Sequence, residues 1–305
     1  MEPLHHITTS APGKLLLLGD HAVVYGYPCL VTAVDYRVFV EVSESDRDEF
    51  ILPYNNGEHF ITSSLSLFRE RHKSNRSVCV KTWASYKESY GLGSSSAVTV
   101  AFVKALSELF AIKLSNQALF DLCYQVVLRV QEVGSGFDIA AAIYGNTLYF
   151  VTAGKIIKPL KVDSLPLIVA YSGIKADTAI LVKQVKKLRE EKPTMVNDVY
   201  TQSASLVEKG KDSLLVNDYK TFGRLMNENH TVLRQLKVST PKLDELVETS
   251  TKAGAYGAKL SGAGGGDCMI ALAPEEKRIE VEKALGHAGA TVLSVTTSEE
   301  GVRIE

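Results

Sequence analysis

Four short segments carry residue types that could handle phosphate groups and protons. The first, "GLGSSS", places Gly91, Leu92 and Gly93 ahead of Ser94, Ser95 and Ser96. It runs directly into a helical pattern of Ala97, Val98, Ala101, Leu106 and Leu109. One Ser is enough to cap a helix, and extra glycines lower stability unless a backbone must come close to something. Glycines ahead of a helix expose several N–H groups in one concavity, where the helix dipole adds about half a positive charge. Such a place binds phosphate, and neighbouring hydroxyls can hold phosphate oxygens or Mg²⁺. The segment is not a P-loop, which needs a Lys, nor a dinucleotide fingerprint, because Ser96 stands where the third Gly would be. Alone, it reads equally well as a richly capped helix start.

The second segment, "SAPGKLLLLGDHAVVYG" at 10–26, sets Lys14, Asp20 and His21 around a short apolar strand. Lys14 and Asp20 are six apart and so share a strand face; an edge strand with charged ends would look the same. The third, "KLSGAGGGDCMIAL" at 259–272, crowds Gly262, Gly264, Gly265 and Gly266 before a strand. So costly a loop in chain entropy is seldom a mere linker, although a tight turn is the plain alternative. The fourth, "GSGFDIA" at 134–140, presents Asp138 after two glycines, where a helix N-cap is the plain reading.

These residues need elements to hold them. The runs "KLLLLG", "CLVTAVDYRVFVEV" and "SVCVKTW" read as strands, with a turn at "YGYP" between the first two. Helices are expected at about 96–111 and 115–131, the latter capped by Ser115. "NTLYFVTAGKIIKPL" reads as a hairpin around Gly154, and "LPLIVAYS" as a buried strand opening a second half. Further helices follow from Asp177 or Thr178 to near Pro193, at about 196–216 and 218–230, and from Ser239-Thr240-Pro241 to Gly254. "CMIAL" and "ATVLSVTTS" read as late strands around a helix at about 275–288. The division expected is 1–160 and 161–305.

Length and composition set the outer bounds. A chain of 305 residues suits one large domain or two ordinary ones. A net charge of −1, from 34 basic and 35 acidic residues, gives no reason to expect nucleic acid as a partner. Cys29, Cys79, Cys123 and Cys268 are scattered, without the spacing of a zinc site or a disulfide framework. "MEPLHHITTSAPGK" lacks the basic and apolar regions of a signal peptide, and no apolar run is long enough for a membrane span. A cytoplasmic α/β protein without membrane partners is expected.

Together, the first three segments resemble the GHMP kinase family, from Ser10 to about Leu272. The resemblance implies a two-domain α/β (α+β) fold. Its N-terminal domain would be like ribosomal protein S5 domain 2, its C-terminal domain ferredoxin-like, and its active site between them. It implies ATP and Mg²⁺ as cofactors. Gly91, Leu92, Gly93, Ser94, Ser95 and Ser96 would wrap the ATP phosphates, with Gly264 and Gly265 shaping the cleft beside them. Within the family, "GDHAVVYG" and "YSGIKADT" look most like mevalonate kinases, whereas "GSGFDIA" and "GGGDC" lean toward phosphomevalonate kinases. The implied reaction is phosphorylation of the mevalonate C5 hydroxyl, in isoprenoid precursor synthesis. Phosphomevalonate kinase and a catalytically silent metabolite sensor are the alternatives.

By the same resemblance, Asp138 would be the base, with Lys14 beside it. Asp20, His21 and Thr178 would hold the acceptor, and Ser95 would ligate the metal. The assembly allowed is a monomer or a homodimer. Two departures stand out. The metal-ligand Glu expected on the helix before Asp138 is matched only by Glu132, which lies closer to Asp138 than the pattern asks. The usual approach to the phosphate loop is replaced by Lys87-Glu88-Ser89-Tyr90.

Overall fold

A computed structural model describes residues 6–52, 57–86 and 90–305. Part of the substituted approach to the phosphate loop, Lys87–Ser89, lies outside the described residues. The chain begins with two long antiparallel strands, β1 (His6–Leu18) and β2 (Pro28–Ser45). A 3₁₀ turn at Ala22–Tyr25 joins them, closed by Gly26 in the left-handed region. β3 (Glu49–Ile51), α1 (Glu58–His72) and β4 (Ser77–Ala84) follow, β4 lying parallel to β3 and antiparallel to β2. Three helices come next: α2 (Ser94–Leu109), α3 (Asn116–Gln131) and α4 (Phe137–Tyr144). A hairpin of β5 (Thr147–Val151) and β6 (Ile156–Leu160) then returns to the sheet, β5 pairing with the first part of β2.

The second sheet starts at β7 (Leu167–Tyr171). Four helices intervene: α5 (Thr178–Glu191), α6 (Pro193–Leu215), α7 (Tyr219–Gln235) and α8 (Pro241–Lys252). β8 (Gly257–Leu260), β9 (Cys268–Leu272), α9 (Glu275–His287) and β10 (Thr291–Leu293) complete it. Its order is β10-β7-β9-β8, all antiparallel. That is the split β-α-β of ferredoxin-like folds, with a four-helix insertion after its first strand. The chain then goes back: β11 (Arg303–Ile304) pairs with β1 in the first sheet. The two-part division at residue 160 therefore omits this return. The expected strand "ATVLSVTTS" is also shorter than its pattern, since only Thr291–Leu293 pair with β7.

Side-chain direction explains how the halves join. Leu16 points into the core formed with α1–α4, whereas Leu15, Leu17 and Leu18 enter a different core. That second core also takes Val169, Phe222, Met226 and Ile270 from the C-terminal half. β1 is thus buried on both faces, which is why "LLLL" does not alternate with polar residues. The joint places the C-terminal end of β1 beside the glycine-rich loop that follows β8.

Candidate active site

A cleft of about 290 Å³ opens where the ends of these elements meet. Helix α2 begins at Ser94, with Gly93 at its N-cap (φ 85°) and no side-chain cap. Ala97 N–H makes the first intrahelical bond, to the Gly93 carbonyl. Ser94, Ser95 and Ser96 thus lie in the first turn, whose N–H groups have no partner within the helix, and all three line the cleft. Helix α4 repeats the arrangement. Gly136 is its N-cap (φ 90°), again with no side-chain cap, and Asp138 lies in its first turn. Asp138 is therefore not the N-cap of its helix. Two uncapped helix starts converge on one cavity, a setting that favours negative charge.

Lys14 reaches this place from the middle of β1. Its Nζ is 3.9 Å from Asp138 Oδ1 and 3.4 Å from the Gly91 carbonyl. The Lys14 side chain is 10% exposed and that of Asp138 33%, yet Asp138 Oδ1 is buried without a hydrogen-bond partner. Burial pushes the Asp138 carboxyl above its ordinary value, and the nearby Lys14 ammonium opposes that rise. Gly93 owes its identity partly to Lys14, because a Cβ there would stand 3.0 Å from two carbons of the lysine stem.

The third glycine-rich segment forms the far wall. His21 sits at φ 59°, rare for a residue with a side chain, and its Nε2 lies 2.9 Å from the Ala263 carbonyl. Burial lowers the His21 pKa. The neutral ring can donate from Nε2 to that carbonyl and present Nδ1 as an acceptor. Thr178, the first residue of α5, lines the cleft next to Lys175, while Asp177 caps the helix by accepting from Ile180 N–H.

Other expected site residues stand elsewhere. Asp20 is beneath the wall rather than on it. Its Oδ1 accepts from Gly262 N–H at 2.8 Å, and its Oδ2 pairs with Lys259 Nζ at 2.8 Å, both side chains fully buried. Asp20 fixes the loop and is not among the cleft-lining residues. Glu132 is exposed in a left-handed C-cap after α3 and is not among the cleft-lining residues. Leu92 is buried, and its carbonyl accepts from Lys14 N–H at 2.8 Å. It shapes the loop from behind. Gly265 packs against Leu181 rather than facing the cavity, whereas Gly264 does line it.

Ser135, Ser261 and Asp267 line the cleft as well, though nothing marked them in the sequence beyond their glycine neighbours. Ser261 Oγ is 3.1 Å from both the N–H and the carbonyl of Leu16, joining the third segment to β1. Among the described residues no group of three or more His, Cys, Asp or Glu side chains is placed to hold a metal ion. Among the same residues, no helix is long and apolar enough to cross a membrane.

Comparison with known proteins identifies the family. The model of the GHMP kinase N-terminal domain matches residues 59–146, and that of the GHMP kinase C-terminal domain residues 211–300. The mevalonate kinase of Thermococcus gammatolerans is 36% identical, over 98% of each chain. That of Pyrococcus furiosus is 35% identical, again over 98% of each. The crystal structure of L. major mevalonate kinase in complex with R-mevalonate superposes with a TM-score of 0.81 at 26% identity, covering 95% of each chain. With both domain models matched, and with relatives aligned along nearly all its length, this chain belongs to the GHMP kinase family.

Proposed function

We propose that the protein transfers the γ-phosphoryl group of ATP to the C5 hydroxyl of mevalonate, in the cytoplasm. The observation that carries the reading is the Lys14–Asp138 pair, held 3.9 Å apart in the same cleft as the uncapped start of α2. Full-length similarity to proteins named mevalonate kinase supplies the acceptor.

Phosphoryl transfer asks a protein mainly for positioning and charge stabilisation. The N–H groups at the start of α2 and the hydroxyl of Ser94 take the phosphate oxygens. Asp138 accepts the C5 hydroxyl proton as that oxygen attacks the γ-phosphorus and the bond to ADP breaks. A carboxyl raised by burial is a better base than a solvated one, and such groups contribute about 10²–10⁴-fold in rate. The Lys14 ammonium keeps Asp138 ionised and faces the developing charge on the attacking oxygen. His21 and Thr178 hold the acceptor from the opposite wall.

The cleft suits a Mg²⁺ that arrives with the nucleotide. Mg²⁺ keeps several waters and is typically bound by one or two protein oxygens plus substrate phosphates. The Ser95 hydroxyl would hold it, and the ion would neutralise charge on the transferring phosphoryl group.

Transfer to 5-phosphomevalonate is the other reading, because "GGGDC" leans that way. An acceptor phosphate would need cations of its own, and of the candidates Lys14, Lys175 and Lys259 the last is spent on Asp20 in the interior. The reading of a silent sensor gives no reason for keeping Lys14 against Asp138. ADP release with mevalonate, 5-phosphomevalonate, homoserine and galactose offered separately tests the assignment. Mevalonate should give the highest kcat/KM; a higher value for 5-phosphomevalonate would reassign the acceptor.

A further inference from the structure

Asp267 is the second carboxylate on the cleft wall, and the transfer described above gives it no task. It ends the glycine-rich loop in the left-handed region (φ 51°), the conformation its glycine neighbours Gly264 and Gly265 adopt more cheaply. Its side chain is 14% exposed and reaches the loop that precedes α5. Asp267 Oδ1 accepts from Lys175 Nζ at 3.0 Å and from Ala176 N–H at 3.2 Å. Its backbone joins the same loop, with Asp267 N–H donating to the Ile174 carbonyl at 2.7 Å and its carbonyl accepting from Ser172 N–H at 2.9 Å.

The other carboxylate oxygen faces the opposite half of the molecule. A Cβ on Gly91 would lie 2.4 Å from Asp267 Oδ2, and Gly91 is held at φ 80°. The phosphate loop is therefore bare at the spot the Asp267 carboxylate fills. From the turn into β9, one side chain thus meets two other segments: the phosphate loop and the loop leading to Thr178.

We propose that Asp267 is a positioning residue that ties the acceptor-side loop, residues 172–178, to the phosphate loop at Gly91, with Lys175 as its charged partner. The proposal rests on the reading of this cleft as a phosphoryl-transfer site. It predicts that order at the phosphate loop is passed to Thr178 through this carboxylate. Displacing a reacting group by about 1 Å can cost 10²-fold in rate, so loss of the tie should register in kcat before it registers in binding.

The test uses the full chain with Asp267→Gly, Asp267→Asn, Lys175→Met and the Asp267→Gly/Lys175→Met pair. Glycine adopts the left-handed region freely, so Asp267→Gly should fold and melt close to the parent. Its kcat should fall about 10- to 100-fold, with the Kd for an imido analogue of ATP plus Mg²⁺ nearly unchanged. Asn tolerates the same backbone and keeps an acceptor for Ala176 N–H, so it should recover part of the rate. The double variant should lose no more than the worse single one, since Asp267→Gly already removes the ion pair that Lys175→Met breaks. Additive losses, an unaffected kcat, or a kcat fall that only follows a lowered Tm would overturn the proposal.

A second measurement does not depend on the acceptor. Amide hydrogen exchange with the imido analogue alone should protect both 91–96 and 172–178 in the parent. In Asp267→Gly it should protect only 91–96. Equal protection of 172–178 in parent and variant would sink the tie even if mevalonate proved the wrong substrate. Failure of mevalonate turnover in the parent, with this exchange pattern present, would overturn the acceptor assignment alone.

Discussion

Asp138 has its carboxyl pushed upward by burial and held back by Lys14, and both influences can be read in a pH profile. Turnover needs the ionised form, so the acid limb of kcat/KM should lie above the ordinary value of an Asp carboxyl. Lys14→Met removes the opposing charge and should move that limb to still higher pH while lowering kcat. Asp138→Asn should lower kcat about 10²–10⁴-fold. Its effect on stability has the opposite sign. A carboxyl whose folded pKa is raised binds more protons folded than unfolded, so it subtracts stability as pH rises above the unfolded value. Asp138→Asn should therefore leave Tm at pH 7 unchanged or higher, as thermal denaturation beside steady-state kinetics would show. If Asp138 served only as a cap, both Tm and kcat would barely move, since Asn caps as well as Asp. Ser95→Ala should weaken Mg²⁺-dependent turnover more than Ser96→Ala, because Ser96 is the most buried of the three hydroxyl residues; equal losses would mean the serines act through loop structure. The sequence exposed Lys14, Ser95 and Asp138 because each sits in a local pattern of small residues. It hid the role of Asp20, whose partner Lys259 becomes a neighbour only when β1 meets β8.

At the level of elements, helix starts divide into two kinds, and mutations should respect the division. Ser115, Asp177, Asp218 and Thr240 cap α3, α5, α7 and α8 with their side chains. Ser115→Ala should cost about 1 kcal/mol and leave kcat unchanged. α2 and α4 instead begin at left-handed glycines and keep their N–H groups free of side-chain caps. Gly93→Ala forces a Cβ into the left-handed region, at about 1–2 kcal/mol, and presses on Lys14. Tm and kcat should fall together there, whereas Ser115→Ala separates them. Side-chain caps are local signals, which is why α3, α5 and α8 could be placed from sequence to within a residue or two. α1 carries no such mark. Its N-cap is Gly57, and "EHFITSSLSLFRERH" mixes β-branched and hydroxyl residues with its apolar ones. Its helical face, Phe60, Ile61, Ser64, Leu65 and Phe68, is apparent only once the sheet beneath it is known. β11 is two residues long and pairs with the other end of the chain, so no window of sequence could announce it.

For the whole molecule, the return of residues 299–305 to the first sheet is anchored by Arg37. This buried guanidinium donates to Ser10 Oγ and the Ser10 carbonyl at 2.7 and 3.0 Å, and to the carbonyls of Glu300 and Gly301 at 2.9 Å each. Removing residues 299–305 strands that charge in the interior. It also takes away Glu299, whose carboxylate lies 3.8 Å from the Arg37 guanidinium; loss of one side of a buried charged pair costs about 3–5 kcal/mol, so chemical denaturation should show a deficit of that order. Adding Arg37→Met to the shortened chain should return part of it, and no recovery would mean that β-pairing, not Arg37, holds the tail. Ser10 and Glu305, joined through their side chains, are 295 positions apart in sequence. That distance has a meaning during synthesis. A ribosome releases the phosphate-loop half of the molecule first, yet the β1 edge of its sheet stays open until residues 303–304 emerge. Throughout elongation that edge is an unpaired template for other nascent chains. The half made earliest is thus completed only when residues 303–304 arrive to pair with it.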